Sequence, residues 1–171
     1  MVQIRERDLP AREILSISEA AVQIARTTGA RVLVNDRADL AMCVGAGVHL
    51  TARSLTADVA RLAFGQEMLV GASTHTLEEA VTAESGGADF AVFGPVFETA
   101  SKREYGPPAG IEALRAIARR LSIPVLALGG ITLANARLAL DAGAAGIAAI
   151  SLFAQADDLE VAVRTVKRFK E

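Results

Sequence analysis

The feature that most constrains this fold is a recurrence. Short apolar runs alternate with amphipathic helical stretches, and small or polar residues gather where the runs end. The runs read as strands at 2–5, 31–35, 48–51, 68–72, 90–94, 124–128 and 146–151. Helices fit 11–28, 39–44, 57–64, 110–121, 134–141 and 157–169, with one more between a Thr76/Glu79 capping box and Gly86-Gly87. The runs lack polar alternation, so the strands are buried on both faces, as in a parallel sheet covered by helices. The chain is 51% hydrophobic but 4% aromatic and has no Trp, so its core must be aliphatic. Its 171 residues fit a single domain, 1–171.

Strict strand–helix alternation yields either an open doubly wound sheet or a barrel. The doubly wound form predicts a glycine-rich turn after the first strand, where this chain has Glu6-Arg7-Asp8. Glycines and hydroxyls cluster instead after the late strands, where barrels place phosphate sites. The expected fold is therefore a TIM-type β/α barrel. Seven units are legible where eight are needed. The expectation is that a first strand–helix unit, about 25–30 residues long, is missing. Seven units leave two open strand edges, which invite self-association, for instance as a homodimer.

A net charge of −2 with no dominant basic patch argues against a nucleic-acid partner. Arg164, Lys167, Arg168 and Lys170 end the last helix, where cations complement the helix dipole. A lone cysteine, Cys43, excludes an intrachain disulfide, and its apolar neighbours predict burial. The histidines are His49 and His75, too few for a Cys/His metal cluster. Charges at positions 5–8 interrupt any signal peptide, and no apolar run approaches the ~20 residues of a membrane span. The expectation is a soluble, cytoplasmic protein without a membrane partner.

The strand ends carry the chemistry. Gln3, Arg5 and Arg7 are spaced by two, so an extended segment points them to one side. Two guanidiniums there suit an anion, or form a rim paired with Glu6 and Asp8. Asp36, after Asn35, either helps hold Mg²⁺ beside a diphosphate or caps the following helix, the bare dipeptide favouring the cap. Ser73-Thr74-His75 offers Ser73 and His75 to a ligand, with Thr74 or Thr76 serving the helix start. His75, near a helix N-terminus, is either a proton-transfer group or a structural histidine. Thr99, Ser101 and Lys102 can surround phosphate oxygens, and the long connection over 97–109 is expected to be a lid. Gly129-Gly130 allows close backbone approach to an anion, and Ile150-Ser151 adds N–H groups at the start of a short helix. Two neighbouring strand ends of this kind form a barrel phosphate cup.

At these residues the sequence resembles the thiamine phosphate synthase/TenI family. The matching segments are 2–7, Val34-Asn35-Asp36-Arg37, Gly47-Val48-His49-Leu50, Gly71-Ala72-Ser73-Thr74-His75, Gly87-Ala88-Asp89-Phe90, Phe93 to Lys102, Leu128-Gly129-Gly130-Ile131 and Ala149-Ile150-Ser151. The resemblance implies a thiamine-pathway barrel that binds a thiazole phosphate. It places Gln3, Arg5, Asn35, Ser73, Thr99, Ser101 and Lys102 on a pyrimidine diphosphate. It places Gly129, Gly130, Ile150 and Ser151 on the thiazole phosphate, and Asp36 on Mg²⁺.

Ser54 stands where the synthase has a second magnesium carboxylate, and Arg7 where it usually has lysine. Both departures point to the TenI branch, which isomerises a thiazole phosphate carboxylate, and the lost carboxylate weakens Mg²⁺ binding. Yet Pro95 occupies the position of the tautomerase's catalytic histidine, leaving His75 and Lys102 as the candidate catalytic residues. The leading expectation is a TenI-like isomerase that binds thiazole phosphate. The alternatives are a synthase, hence a transferase, and a non-catalytic or regulatory phosphate-ligand-binding homologue.

Overall fold

The computed structural model describes residues 1–99 and 107–169. They fall into two compact units, Met1–Ser73 with Thr82–Asp89, and Thr74–Val81 with Phe90 onward.

The first unit runs β1 (Val2–Ile4), α1 (Ala11–Thr28), β2 (Val32–Asn35), α2 (Ala38–Val44), β3 (Gly47–Leu50), α3 (Ala57–Phe64) and β4 (Val70–Thr74), of which Thr74 is counted in the second unit. Neighbours pair in parallel, with Gln3 opposite Leu33, Asn35 opposite His49, and His49 opposite Gly71. Val34, Val48, Val70 and Ala60 are at most 1% exposed and form the aliphatic core that the composition requires. Each buried valine contributes roughly 1.5–3 kcal/mol. The outermost strand of this unit is less covered: Val2 is 55% exposed.

The second unit starts with the first turn of α4 (Leu77–Ser85) and continues through β5 (Phe90–Phe93), α5 (Gly110–Arg120), β6 (Val125–Leu128), α6 (Ala136–Asp141), β7 (Gly146–Ala148), α7 (Ser151–Ala154) and α8 (Leu159–Arg168). The β5–β6 and β6–β7 pairs are also parallel. Phe93, Leu114 and Ile117 centre its core.

Element order follows the sequence reading, with ends moved by one or two residues in most cases. Two shifts have local causes. The last strand stops at Ala148, where its register with β6 ends, and the chain turns at once into α7. The helix expected from 134 begins at Ala136 because Thr132 and Asn135 bond each other in the preceding turn. Cys43 corrects an expectation: it is exposed, because α2 turns Ala38, Leu40 and Ala41 to the core instead. The Thr76 half of the capping box at α4 is formed, while Glu79 reaches one residue further back than expected. Thr76 Oγ1 accepts from the Glu79 N–H at 3.1 Å, and Glu79 Oε2 accepts from the His75 N–H at 2.6 Å. Among the described residues no helix is long and apolar enough to cross a membrane.

Arg61 of α3 pins the first unit from below. Its side chain is 8% exposed and donates to the carbonyls of Gly87 (2.8 Å), Gln66 (3.2 Å) and Met68 (2.5 Å) and to the Asp89 carboxylate (2.7 Å). The same Asp89 oxygen accepts from the Val70 N–H at 2.7 Å, which fixes where β4 starts. Replacing Arg61 with Met strips Asp89 of its cation, leaving it the Val70 N–H, and takes the guanidinium away from the Gly87, Gln66 and Met68 carbonyls. Urea unfolding should show a loss of about 3 kcal/mol or more.

Candidate active site

The carboxyl ends of β1–β4 collect one connected polar cluster. Side chains alternate along each strand, so the register brings Gln3, Asn35, His49 and Ser73 together over the apolar core. Gln3 Nε2 donates to Asn35 Oδ1 at 3.3 Å and makes a short contact to His49 Nδ1. His49 Nε2 lies 3.2 Å from Ser73 Oγ. His49 is 7% exposed. Burial pushes its imidazole down to about 4, with Asp36 opposing that shift and Arg5 adding to it.

Asp36 lies just beyond β2 with φ 60°, a left-handed conformation that Asp tolerates better than most residues. Its N–H donates to the His49 carbonyl at 3.0 Å. Its carboxylate accepts from Asn35 Nδ2 (2.8 Å), from Thr51 Oγ1 (2.7 Å) and, in a short contact, from Ser54 Oγ. Burial would raise this carboxyl, but the bonds from Ser54, Thr51 and Asn35 outweigh it and hold the group below its ordinary value. The helix-capping reading of Asp36 is therefore wrong. The α2 helix begins without a side-chain cap, because the carboxylate is already occupied by β3-side hydroxyls. Ser54 also accepts from the Thr51 N–H at 2.7 Å, so the residue in the carboxylate's place closes a hydroxyl clamp on Asp36.

Among the described residues no group of three or more His, Cys, Asp or Glu could hold a metal. One carboxylate and two hydroxyls are hard oxygen donors. They suit Mg²⁺ only when a ligand's phosphate oxygens complete the shell. Arg5 and Arg7 lie past β1 on exposed backbone, and among the described residues neither pairs with Glu6 or Asp8.

The second unit holds the other candidates. His75 is exposed, and its Nδ1 lies 2.5 Å from the Gly94 carbonyl, so Nδ1 carries a proton and donates to that oxygen. Gly129 and Gly130 have φ 94° and 63°. Their missing side chains make room for protein. A Cβ on Gly129 would lie 2.6 Å from Pro95, and one on Gly130 would lie 2.8 Å from Phe97 and clash with the Glu98 carbonyl. The segment after β5 is laid onto the end of β6, with Val96 N–H donating to Leu128 (2.8 Å) and Phe97 N–H to Gly129 (3.0 Å). Asn135 holds the glycine turn: Nδ2 donates to the Gly130 carbonyl at 2.9 Å and Oδ1 accepts from the Thr132 N–H at 2.8 Å. Ile150 and Ser151 are exposed at the start of α7, and Thr99 is half-buried. Ser101, Lys102 and most of the expected 97–109 lid lie outside the described residues, as does Lys170.

Sequence reasoning overlooked His49, Thr51 and Asn135 as site residues. A histidine inside an apolar strand, two residues before a hydroxyl, was the available signal for the first pair.

Polar side chains at the carboxyl ends of parallel strands, above an aliphatic core, define a TIM-like β/α protein with a polar rim. A family model described as thiamine monophosphate synthase matches residues 1–153, and the chain belongs to that family. A solved thiamine phosphate pyrophosphorylase from Pyrococcus furiosus superposes with a TM-score of 0.89 at 36% identity, covering 98% of this chain and 80% of that one. The chain is 42% identical to a thiamine-phosphate synthase from Chlorobium phaeovibrioides, over all of this chain and 82% of the relative. It is 41% identical to one from Moorella thermoacetica, over 97% of this chain and 80% of the relative. These names favour the synthase reading over the tautomerase-type one.

Two outcomes follow from this geometry. His49 has a lower pKa folded than unfolded, so the unfolded state binds the extra proton. Its contribution to stability is present above the ordinary histidine value of 6.5 and is lost as the pH falls toward about 4. Urea unfolding at about pH 5 should show roughly 2 kcal/mol less stability from this group than at about pH 7, and His49→Gln should remove that part of the slope. Gly130→Ala should lower the urea midpoint, by well over ~1 kcal/mol, since the new Cβ meets backbone at a positive φ.

Proposed function

We propose that the chain is a thiamine-phosphate synthase. It joins a pyrimidine diphosphate to a thiazole phosphate with release of pyrophosphate. The observation that carries the reading is the connected cluster Gln3–Asn35–Asp36–His49–Ser73 at the ends of β1–β4. The family resemblance assigns Gln3, Asn35 and Ser73 to the pyrimidine diphosphate and Asp36 to its Mg²⁺.

In the proposed reaction the bond between the pyrimidine methylene and the diphosphate breaks, and its electron pair leaves with pyrophosphate. The thiazole nitrogen then attacks the carbon cation and forms the new C–N bond. Gln3, Asn35 and Ser73 orient the pyrimidine, while Arg5, Arg7 and Lys102 balance the charge of the departing diphosphate. Thr99 and Ser101 contribute hydroxyls to the same phosphates. Gly129, Gly130, Ile150 and Ser151 supply backbone N–H groups to the thiazole phosphate, with Asn135 holding the turn. Asp36 would hold Mg²⁺, which when bound would neutralise charge on the leaving group.

One observation favours a second reading. His75 is an exposed imidazole anchored through Nδ1 to the Gly94 carbonyl, the type of side chain that can move a proton when a thiazole phosphate carboxylate isomerises. Pro95 has no proton to give and weighs against it.

The test is thiamine phosphate formation from both substrates with and without Mg²⁺. Magnesium-dependent product is expected, at a higher half-saturating Mg²⁺ than a site with two carboxylates needs. Ser54→Asp should lower that value by about tenfold. Absence of product from folded protein, with isomerisation of the thiazole substrate that His75→Gln abolishes, establishes the second reading. Absence of both leaves a phosphate-ligand-binding protein without this chemistry.

A further inference from the structure

We infer that His49 is a positioning residue whose tautomer, set from Asp36 through Asn35 and Gln3, commits the Ser73 hydroxyl to donate to the ligand. This inference rests on the proposed synthase reading for its ligand, and on the geometry alone for its direction.

The direction follows from donor and acceptor counting. An ionised carboxylate only accepts, so Asn35 presents Nδ2 to Asp36 Oδ2. That orientation leaves Asn35 Oδ1 facing Gln3, and Gln3 must present Nε2 to it. The same Nε2 is the Gln3 atom against His49 Nδ1, so Nδ1 accepts and the ring proton sits on Nε2. His49 Nε2–H then donates to Ser73 Oγ, 3.2 Å away. With an acceptor lone pair occupied by the imidazole, the Ser73 O–H is free to donate outward. A reversed chain would put two donors or two acceptors face to face at Asn35 and at Gln3. Strand register supports the arrangement, because His49 stands opposite Gly71, which has no side chain to separate the ring from Ser73 two residues on.

His49 touches no substrate in this scheme. It relays an orientation, so removing it should misdirect Ser73 and Gln3 without abolishing the chemistry. The first measurement is the ¹⁵N spectrum of protein labelled at histidine, free of ligand and metal, at about pH 7. His49→Gln assigns the signals, since His75 is the other histidine. A protonated Nε2 beside an unprotonated Nδ1 is expected for His49. The opposite tautomer, or an even mixture, overturns the relay. Asp36→Asn removes the group that only accepts, and the single tautomer should give way to a mixture. An unchanged tautomer in that variant overturns control by Asp36.

Kinetics read the consequence. His49→Leu should raise KM for the pyrimidine diphosphate by about tenfold or more and leave KM for the thiazole phosphate unchanged. His49→Gln can still accept with Oε1 and donate with Nε2, and should restore most of the loss. Equal losses in both variants, or equal rises in both KM values, overturn the positioning role. If the unmodified protein forms no thiamine phosphate, the proposed function fails, and the tautomer measurement still decides the relay. If the Leu variant does not fold, the Gln variant and the spectrum of the unmodified protein carry the test.

Discussion

Everything polar in the first unit depends on the register of a four-strand parallel ladder. Parallel pairing fixes which residues stand side by side, and the alternation of side chains fixes which of them face the same way. With Gln3 opposite Leu33, Asn35 opposite His49, and His49 opposite Gly71 two residues before Ser73, each strand delivers one hydrogen-bonding group to the same face. A slip of one residue would send those groups into the helix-facing core and bring valines to the rim. The buried valines therefore specify the site as firmly as the polar residues do. Arg61 and Asp89 act at the opposite end of the same strands, where their bonds determine where β4 begins.

Asp36 shows how a local strain and a local charge are made compatible. A residue with a Cβ sits at positive φ, an arrangement that costs about 1–3 kcal/mol. The conformation turns the chain out of β2 and sets the carboxylate against Thr51 and Ser54. Those hydroxyls, with Asn35, outweigh the upward push of burial on the acid. A carboxylate at the strand ends is thereby held by hydroxyl and amide donors.

The alternation of strands and helices was legible because buried parallel strands leave unbroken apolar runs, and the capping box at Thr76 and Glu79 announced its helix. The rim residues Gln3, Asn35 and Ser73 were legible as strand-end polars. What sequence spacing could not convey was contact between strands. Asp36 looked like a cap because capping is a local interaction, whereas its partners Thr51 and Ser54 arrive from another strand end. Cys43 looked buried because its neighbours are apolar, yet a short helix buries one face only, and Cys43 is on the other. His49 carried only a weak signal, a histidine inside an apolar strand, for the same reason. Its importance lies in Gln3 and Ser73, neither of which is near it in sequence.

The close fit between the 95–98 segment and the glycine turn at 129–130 has a consequence for how such a chain can diverge. The two loops occupy one another's side-chain space, so neither can be altered alone. A relative that gains a side chain at either glycine must have rerouted the other loop, through a shorter segment or a different backbone path. The pair thus behaves as one inherited unit, and variation in specificity has to enter through residues that face away from that contact.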